Sequence, residues 1–102
     1  MGEIVVVRHG ATEWSRSGQH TGVTDLPLLP DGEEEARRLA QHLRGIRFVA
    51  VYSSDMQRAV RTAELASLPQ PRVTPLLREY DYGDYEGVTS AEIRKSSPDW
   101  QL

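Results

Sequence analysis

The chain contains no cysteine, which excludes a disulfide framework and any thiolate metal site. Lysine is almost as scarce: Lys95 stands alone against eleven arginines. There is no long run of one sign, and the net charge is −3. Bulk electrostatics therefore give no reason to expect nucleic acid or a membrane surface as a partner. Any anion site has to be built from a local cluster of arginines. No apolar stretch is long enough to span a bilayer. Met1-Gly2-Glu3 opens directly into an apolar run with no signal peptide before it, so the expected location is cytoplasmic. Repeats, low-complexity tracts and linkers are also missing, and 102 residues allow one domain at most.

What is present is organised around Ile4-Val5-Val6-Val7-Arg8-His9-Gly10-Ala11-Thr12-Glu13-Trp14. Four consecutive β-branched residues predict a strand buried on both faces, as in a parallel sheet. The run breaks at Gly10, so Arg8 and His9 fall at the carboxyl end of that strand, the edge where open α/β sheets bind ligands. Arginine brings a forked charge that matches a phosphate, and a neutral imidazole is a usable nucleophile or base near pH 7. The alternative is a surface Arg-His pair after an ordinary strand.

Residues 10–30 hold Gly18, Gly22, Pro27 and Pro30 and no sustained periodicity. A structureless loop of this length in a compact domain is usually functional. It carries His20, Thr21 and Thr24 near the strand end, while Leu26, Leu28 and Leu29 are expected to pin it to the core. Asp31 and Glu34 read as a capping box opening a helix with Ala36, Leu39, Ala40 and Leu43 on its apolar face and Gly45 past its end. His42 falls on the solvated side. Phe48 to Tyr52 predicts a second short buried strand. A second helix then starts near Asp55, with Met56, Ala59, Val60, Ala63 and Ala66 inward. Arg58 lies in its first turn, where a cation opposes the helix dipole; it is misplaced for stability unless an anion sits there. Val73 to Leu77 predicts a third strand that Pro75 demotes to an edge. Residues 78–87 read as an acidic, aromatic, glycine-broken loop. Thr89-Ser90-Ala91-Glu92 is a capping box for a last helix ending near Ser96 or Ser97. Alternating strands and helices imply an α/β fold with right-handed crossovers and a mostly parallel sheet flanked by helices.

These residues resemble the histidine phosphatase superfamily, also called phosphoglycerate mutase-like, over the whole chain. RHGATEW at 8–14 is similar to the family's Arg-His-Gly motif. YSSDMQRAVRTAE at 52–64 is similar to its second motif, a strand end followed by a helix with a phosphate-binding arginine. LREYDYGDYEG at 77–87 is similar to its third, which carries an acidic proton donor. The resemblance implies a three-layer α/β/α fold, incomplete as given, of which residues 1–102 are the N-terminal part. It implies that His9 is the nucleophile taking the phosphoryl group, that Arg8 and Arg58 hold its oxygens, and that Glu79 is the general acid and later the base for water. Thr21 and Gly22 are further candidates for phosphate binding. Phosphoryl transfer needs in-line placement and charge stabilisation, which two arginines beside a histidine supply. An acid working near neutrality needs enclosure, which Tyr80, Asp81 and Tyr82 are expected to give Glu79. No metal and no cofactor is implied, and Asp81 and Asp84 are poor candidates for metal ligands.

Ser15 stands where the mutase branch is expected to have asparagine. EWSRSGQHTGVTDLPL at 13–28 with YGDYEG at 82–87 more resembles a branch of sugar-phosphate phosphatases, including a sedoheptulose bisphosphatase and broad acid phosphatases. The expected activity is phosphomonoester hydrolysis on a small phosphorylated metabolite. A cofactor-dependent phosphoglycerate mutase is the alternative within the superfamily. A non-catalytic phosphate-binding or partner-binding fragment is the alternative outside it. The family's second catalytic histidine lies in a later His-Gly motif, and neither His20 nor His42 stands in that context. An interrupted sheet leaves an edge and apolar patches that invite association with a second copy.

Overall fold

The structure is a computed structural model and describes residues 2–101. In chain order it contains α1 (Glu13–Ser17), α2 (Pro30–Leu43), β1 (Tyr52–Ser53), α3 (Gln57–Leu65), β2 (Arg72–Val73) and α4 (Ser90–Ser96), with short 3-10 turns at Pro75–Leu77 and Gly83–Tyr85. The strands pair in parallel, Tyr52 opposite Arg72 and Ser53 opposite Val73. A parallel pair needs a crossover, and α3 supplies it. The fold is α/β, as the alternation of elements predicts.

The core forms where α2 meets α3. Ala36 of α2 and Met56, Ala63 and Ala66 of α3 and its flanks are buried, so the inward faces are those given by the helical periodicity. Small residues let the chains approach closely. A Cβ added to Gly10 would collide with the Gly32 carbonyl, and one added to Gly32 would collide with Ala11. The first turn of α2 therefore rests directly on the backbone just after His9, and the Leu29 amide donates to the Ala11 carbonyl (2.9 Å).

Several local expectations are corrected. The loop at 10–30 contains a helical turn, α1, closed by a Thr12–Ser15 capping box in which each side chain accepts from the other's amide. The loop is also tied down by a bridge from Thr12 to Leu28 and by one from Gln19 to Thr89. Helix α2 starts one residue earlier than Asp31, because Pro30 has its φ preset for the first helical position and no amide to leave orphaned. Leu29 is the N-cap, without a side-chain bond. Asp31 pairs instead with Arg16 (2.9 Å), and Glu34 with Arg37 (3.4 Å). Helix α3 starts at Gln57 rather than Asp55, and its first amide is capped from outside by Asp25 Oδ1 (2.7 Å). The expectation at α4 holds: Thr89 Oγ1 accepts from the Glu92 amide (3.2 Å) and Glu92 Oε1 from the Thr89 amide (3.3 Å).

The strands differ most. Residues 4–7 form no strand, and Ile4 and Val6 are 91% and 90% exposed. A β-branched run of this kind is stable as a strand only with a partner along its edge and cover on both faces; among the described residues it has neither. The second strand shrinks from 48–52 to Tyr52–Ser53, with Val49 exposed, because β2 pairs with it along one edge only. The third shrinks to Arg72–Val73, since Pro75 opens a 3-10 turn instead.

Candidate active site

His9 is half-buried, and its Nδ1 lies 2.7 Å from the Gly10 carbonyl. A carbonyl only accepts, so Nδ1 carries a proton, and in the neutral ring the lone pair falls on Nε2. That is the tautomer a nucleophile needs. The next residue is fixed from α3: the Gly10 amide donates to Thr62 Oγ1 (3.1 Å), and the Thr62 hydroxyl donates to the Arg58 carbonyl (2.7 Å). Two bonds through one threonine thus tie the His9 turn to the residue that carries the guanidinium.

Arg58 follows β1 by way of Ser54, whose hydroxyl accepts from the Met56 amide (3.4 Å). It is only 3% exposed. Its Nη1 donates to the Thr24 carbonyl and its Nη2 to the Gly22 carbonyl, both at 2.7 Å. Among the described residues no carboxylate forms an ion pair with it. A buried cation held only by neutral carbonyls is costly, and an anion would relieve that cost. Arg58 is therefore no solvated surface arginine.

Gly22 is buried, and Thr21 is half-buried, its hydroxyl donating to the Gln19 carbonyl (3.3 Å). Gly22 packs so closely on the Tyr80 carbonyl that a Cβ would collide with it; only glycine allows this approach. Tyr80 follows Glu79, which is exposed, its Oε1 accepting from the Tyr80 amide (3.0 Å). The enclosure expected for Glu79 is therefore missing among the described residues. On its other side Arg78 forms a bidentate pair with Asp55 at 2.7 and 2.5 Å. The guanidinium bonded to it holds the Asp55 carboxyl below its ordinary range. Tyr82 is pushed up, first by burial and then by the charges of Glu79 and Glu86, so its hydroxyl stays protonated.

The structure links His9, Arg58, Gly22 and the backbone beside Glu79 through these contacts. It does not draw in Arg8, which is exposed and has no side-chain bond among the described residues. His42 is exposed near the end of α2. His20 is half-buried, its Nδ1 2.6 Å from the Val88 carbonyl and its ring against Tyr82 and Trp100. Asp81 accepts from the Gly83 amide (2.9 Å) in a local turn. Among the described residues no three His, Cys, Asp or Glu side chains gather as for a metal ion.

Sequence reasoning missed Thr62 and Glu86. Glu86 Oε1 accepts from the Gly22 amide (3.1 Å), the Thr24 amide (3.0 Å) and Thr24 Oγ1 (2.7 Å), and Oε2 from the Tyr82 amide (3.1 Å). No local pattern announces a carboxylate that serves amides more than sixty positions earlier.

The model of the histidine phosphatase superfamily, branch 1, matches residues 4–102. This chain belongs to the histidine phosphatase superfamily. It is 42% identical to an acid phosphatase of Mycobacterium tuberculosis over 95% of its length and 49% of the relative's. It is 41% identical to the sedoheptulose 1,7-bisphosphatase of Saccharomyces cerevisiae over 87% of its length and 39% of the relative's. The chain thus spans about half or less of the curated relatives it matches. Among solved structures, that of an open reading frame from Mycobacterium tuberculosis superposes with a TM-score of 0.84 at 43% identity, covering 91% of this chain and 49% of that one. A phosphoglycerate mutase from Thermus thermophilus superposes at 0.72 with 48% identity, covering 80% and 46%. Within this member of the superfamily, the turn after His9, the first turn of α3 and the 22–24 turn form one hydrogen-bonded unit.

Proposed function

We propose that the protein hydrolyses phosphomonoesters of a small metabolite such as a sugar phosphate, with residues 1–102 as the N-terminal part of one histidine phosphatase domain. The observation that carries this is Arg58: a guanidinium 3% exposed, paired only with neutral carbonyls, one threonine away from the His9 turn. Such a charge calls for an anion, and the histidine beside it has Nε2 free. In the first step Nε2 attacks phosphorus in line, the bond from phosphorus to the ester oxygen breaks, and Glu79, exposed here and enclosed once substrate binds, gives that oxygen its proton. In the second, Glu79 takes a proton from water, which displaces the phosphoryl group from His9 as inorganic phosphate. Arg58 and Arg8 meet the charge on the equatorial oxygens, with Arg8 turning in as substrate binds and Thr21 and Gly22 lining the oxygens. The acid phosphatase and bisphosphatase names of two relatives favour hydrolysis. The phosphoglycerate mutase at 48% identity supports the second reading, in which the phosphoryl group returns to a substrate hydroxyl instead of water.

The test uses the intact protein with a labelled aryl phosphate and a sugar phosphate. An acid-labile phosphohistidine is expected, and His9→Ala should abolish it. Glu79→Gln should slow the sugar phosphate more than the aryl phosphate, whose leaving group needs no proton. Turnover surviving His9→Ala would assign the chemistry elsewhere. Label passing to an acceptor hydroxyl in preference to water would favour the mutase.

A further inference from the structure

The 22–24 turn belongs to no helix or strand, so its amides and carbonyls find no ladder partners. They are served instead by two opposite charges. Gly22 and Thr24 both give their N–H groups to the Glu86 carboxylate, at 3.1 and 3.0 Å. Both accept at their carbonyls from the Arg58 guanidinium, at 2.7 Å each. The same two residues thus lie between an anion and a cation, the first met by their N–H groups and the second by their carbonyls. Thr24 adds its hydroxyl to Glu86 (2.7 Å), and the Tyr82 amide fixes the other oxygen (3.1 Å). Gly22 is what lets the carboxylate in: a Cβ there would come within 2.6 Å of Glu86 Oε2. Burial pushes the Glu86 carboxyl up, but the Thr24 hydroxyl and the amides of Gly22, Tyr82 and Thr24 outweigh it and leave the group below its ordinary range, so it is charged at neutral pH.

We propose that Glu86 is a positioning residue for the anion site: through the 22–24 turn it sets the carbonyls that aim the Arg58 fork. Of the five N–H groups of a guanidinium, two are spent on these carbonyls, and their placement decides which way the other three face. Glu86 itself does not touch the phosphate. The inference rests on the reading of Arg58 as a phosphate ligand. A plain loop anchor would stabilise the turn equally whether or not Arg58 is present, and that difference can be measured.

The experiment is a titration of the intact protein with inorganic phosphate, for the unsubstituted protein, Glu86→Ala, Glu86→Gln, Arg58→Ala and the double variant Arg58→Ala/Glu86→Ala. Loss of a charged hydrogen-bonding partner should weaken phosphate binding about tenfold or more in Glu86→Ala, and by less in the isosteric Glu86→Gln. Adding Glu86→Ala to Arg58→Ala should cost no more than about twofold, because coupled residues are not additive. Phosphate affinity unchanged in Glu86→Ala, or the same factor lost in both backgrounds, would overturn the proposal while leaving the anion site standing. Should Glu86→Ala fail to fold, unchanged affinity in Glu86→Gln overturns it equally. No saturable phosphate binding by the unsubstituted protein would remove the site itself, and both readings with it.

Discussion

A cation in the first turn of a helix is unfavourable for the dipole, and Arg58 adds to this the loss of almost all its solvent. Two short bonds to Gly22 and Thr24 offset part of the cost. The fork matters as much as the charge, since each carbonyl is met by a different Nη. Lysine keeps the charge but is a point donor on a flexible stem, and it cannot hold both carbonyls in one planar geometry. Arg58→Lys is therefore expected to destabilise the fold by about 1–3 kcal/mol, the cost of leaving a buried acceptor unmet, and to weaken phosphate binding. Urea unfolding and a phosphate titration measure the two effects separately; wild-type values in both would show that charge alone is used. That Arg58 is misplaced without an anion was legible in its position. Which groups hold it was not, because Thr24 and Gly22 lie more than thirty positions upstream.

The helices show how far such legibility extends. Helix α4 is capped by residues within its own first turn, so a four-residue pattern was enough to find it. Removing the cap should cost about 1 kcal/mol. Thr89→Ala is expected to lower thermal stability by that amount, while Ser90→Ala, beside it but outside the box, should change little; equal effects would show that the cap contributes nothing here. Helix α3 has no cap of its own, and its first amide depends on Asp25. Gln57 binds the same residue a second time, through Nε2 to the Asp25 carbonyl (2.9 Å). No pattern local to residues 55–65 could have shown that. The start of α2 departs from its pattern for a different reason, the preset φ of Pro30 overriding a plausible acidic cap.

Across the whole molecule, Glu86 makes stability depend on acid. Its folded-state pKa lies below the ordinary glutamate value, so its contribution is fully present above that ordinary value and is lost as pH falls through the lowered one. Urea midpoints measured from pH 7 down to about pH 3, spanning the ordinary Glu value near 4.3, should fall less steeply in Glu86→Gln than in the unsubstituted protein. Parallel curves would mean that the carboxylate contributes nothing specific. Asp55 behaves with the same sign through Arg78, but both are largely exposed, and such pairs contribute little.

By itself, the sequence determined what depends on near neighbours: the helical faces of α2 and α3, the α4 capping box, the interruption at Pro75, and the motifs around His9, Arg58 and Glu79 that place the chain in its superfamily. These follow from periodicity, φ preference and side-chain chemistry within a few residues. Tertiary structure alone decided what depends on residues far apart. It decided that Ile4 to Val7 gain no partner among the described residues, since strand formation needs an edge and two covered faces. It also decided that Glu86 and Arg58 close on one turn from opposite sides, because burial leaves each amide and carbonyl to be met by whichever charge the fold brings to it.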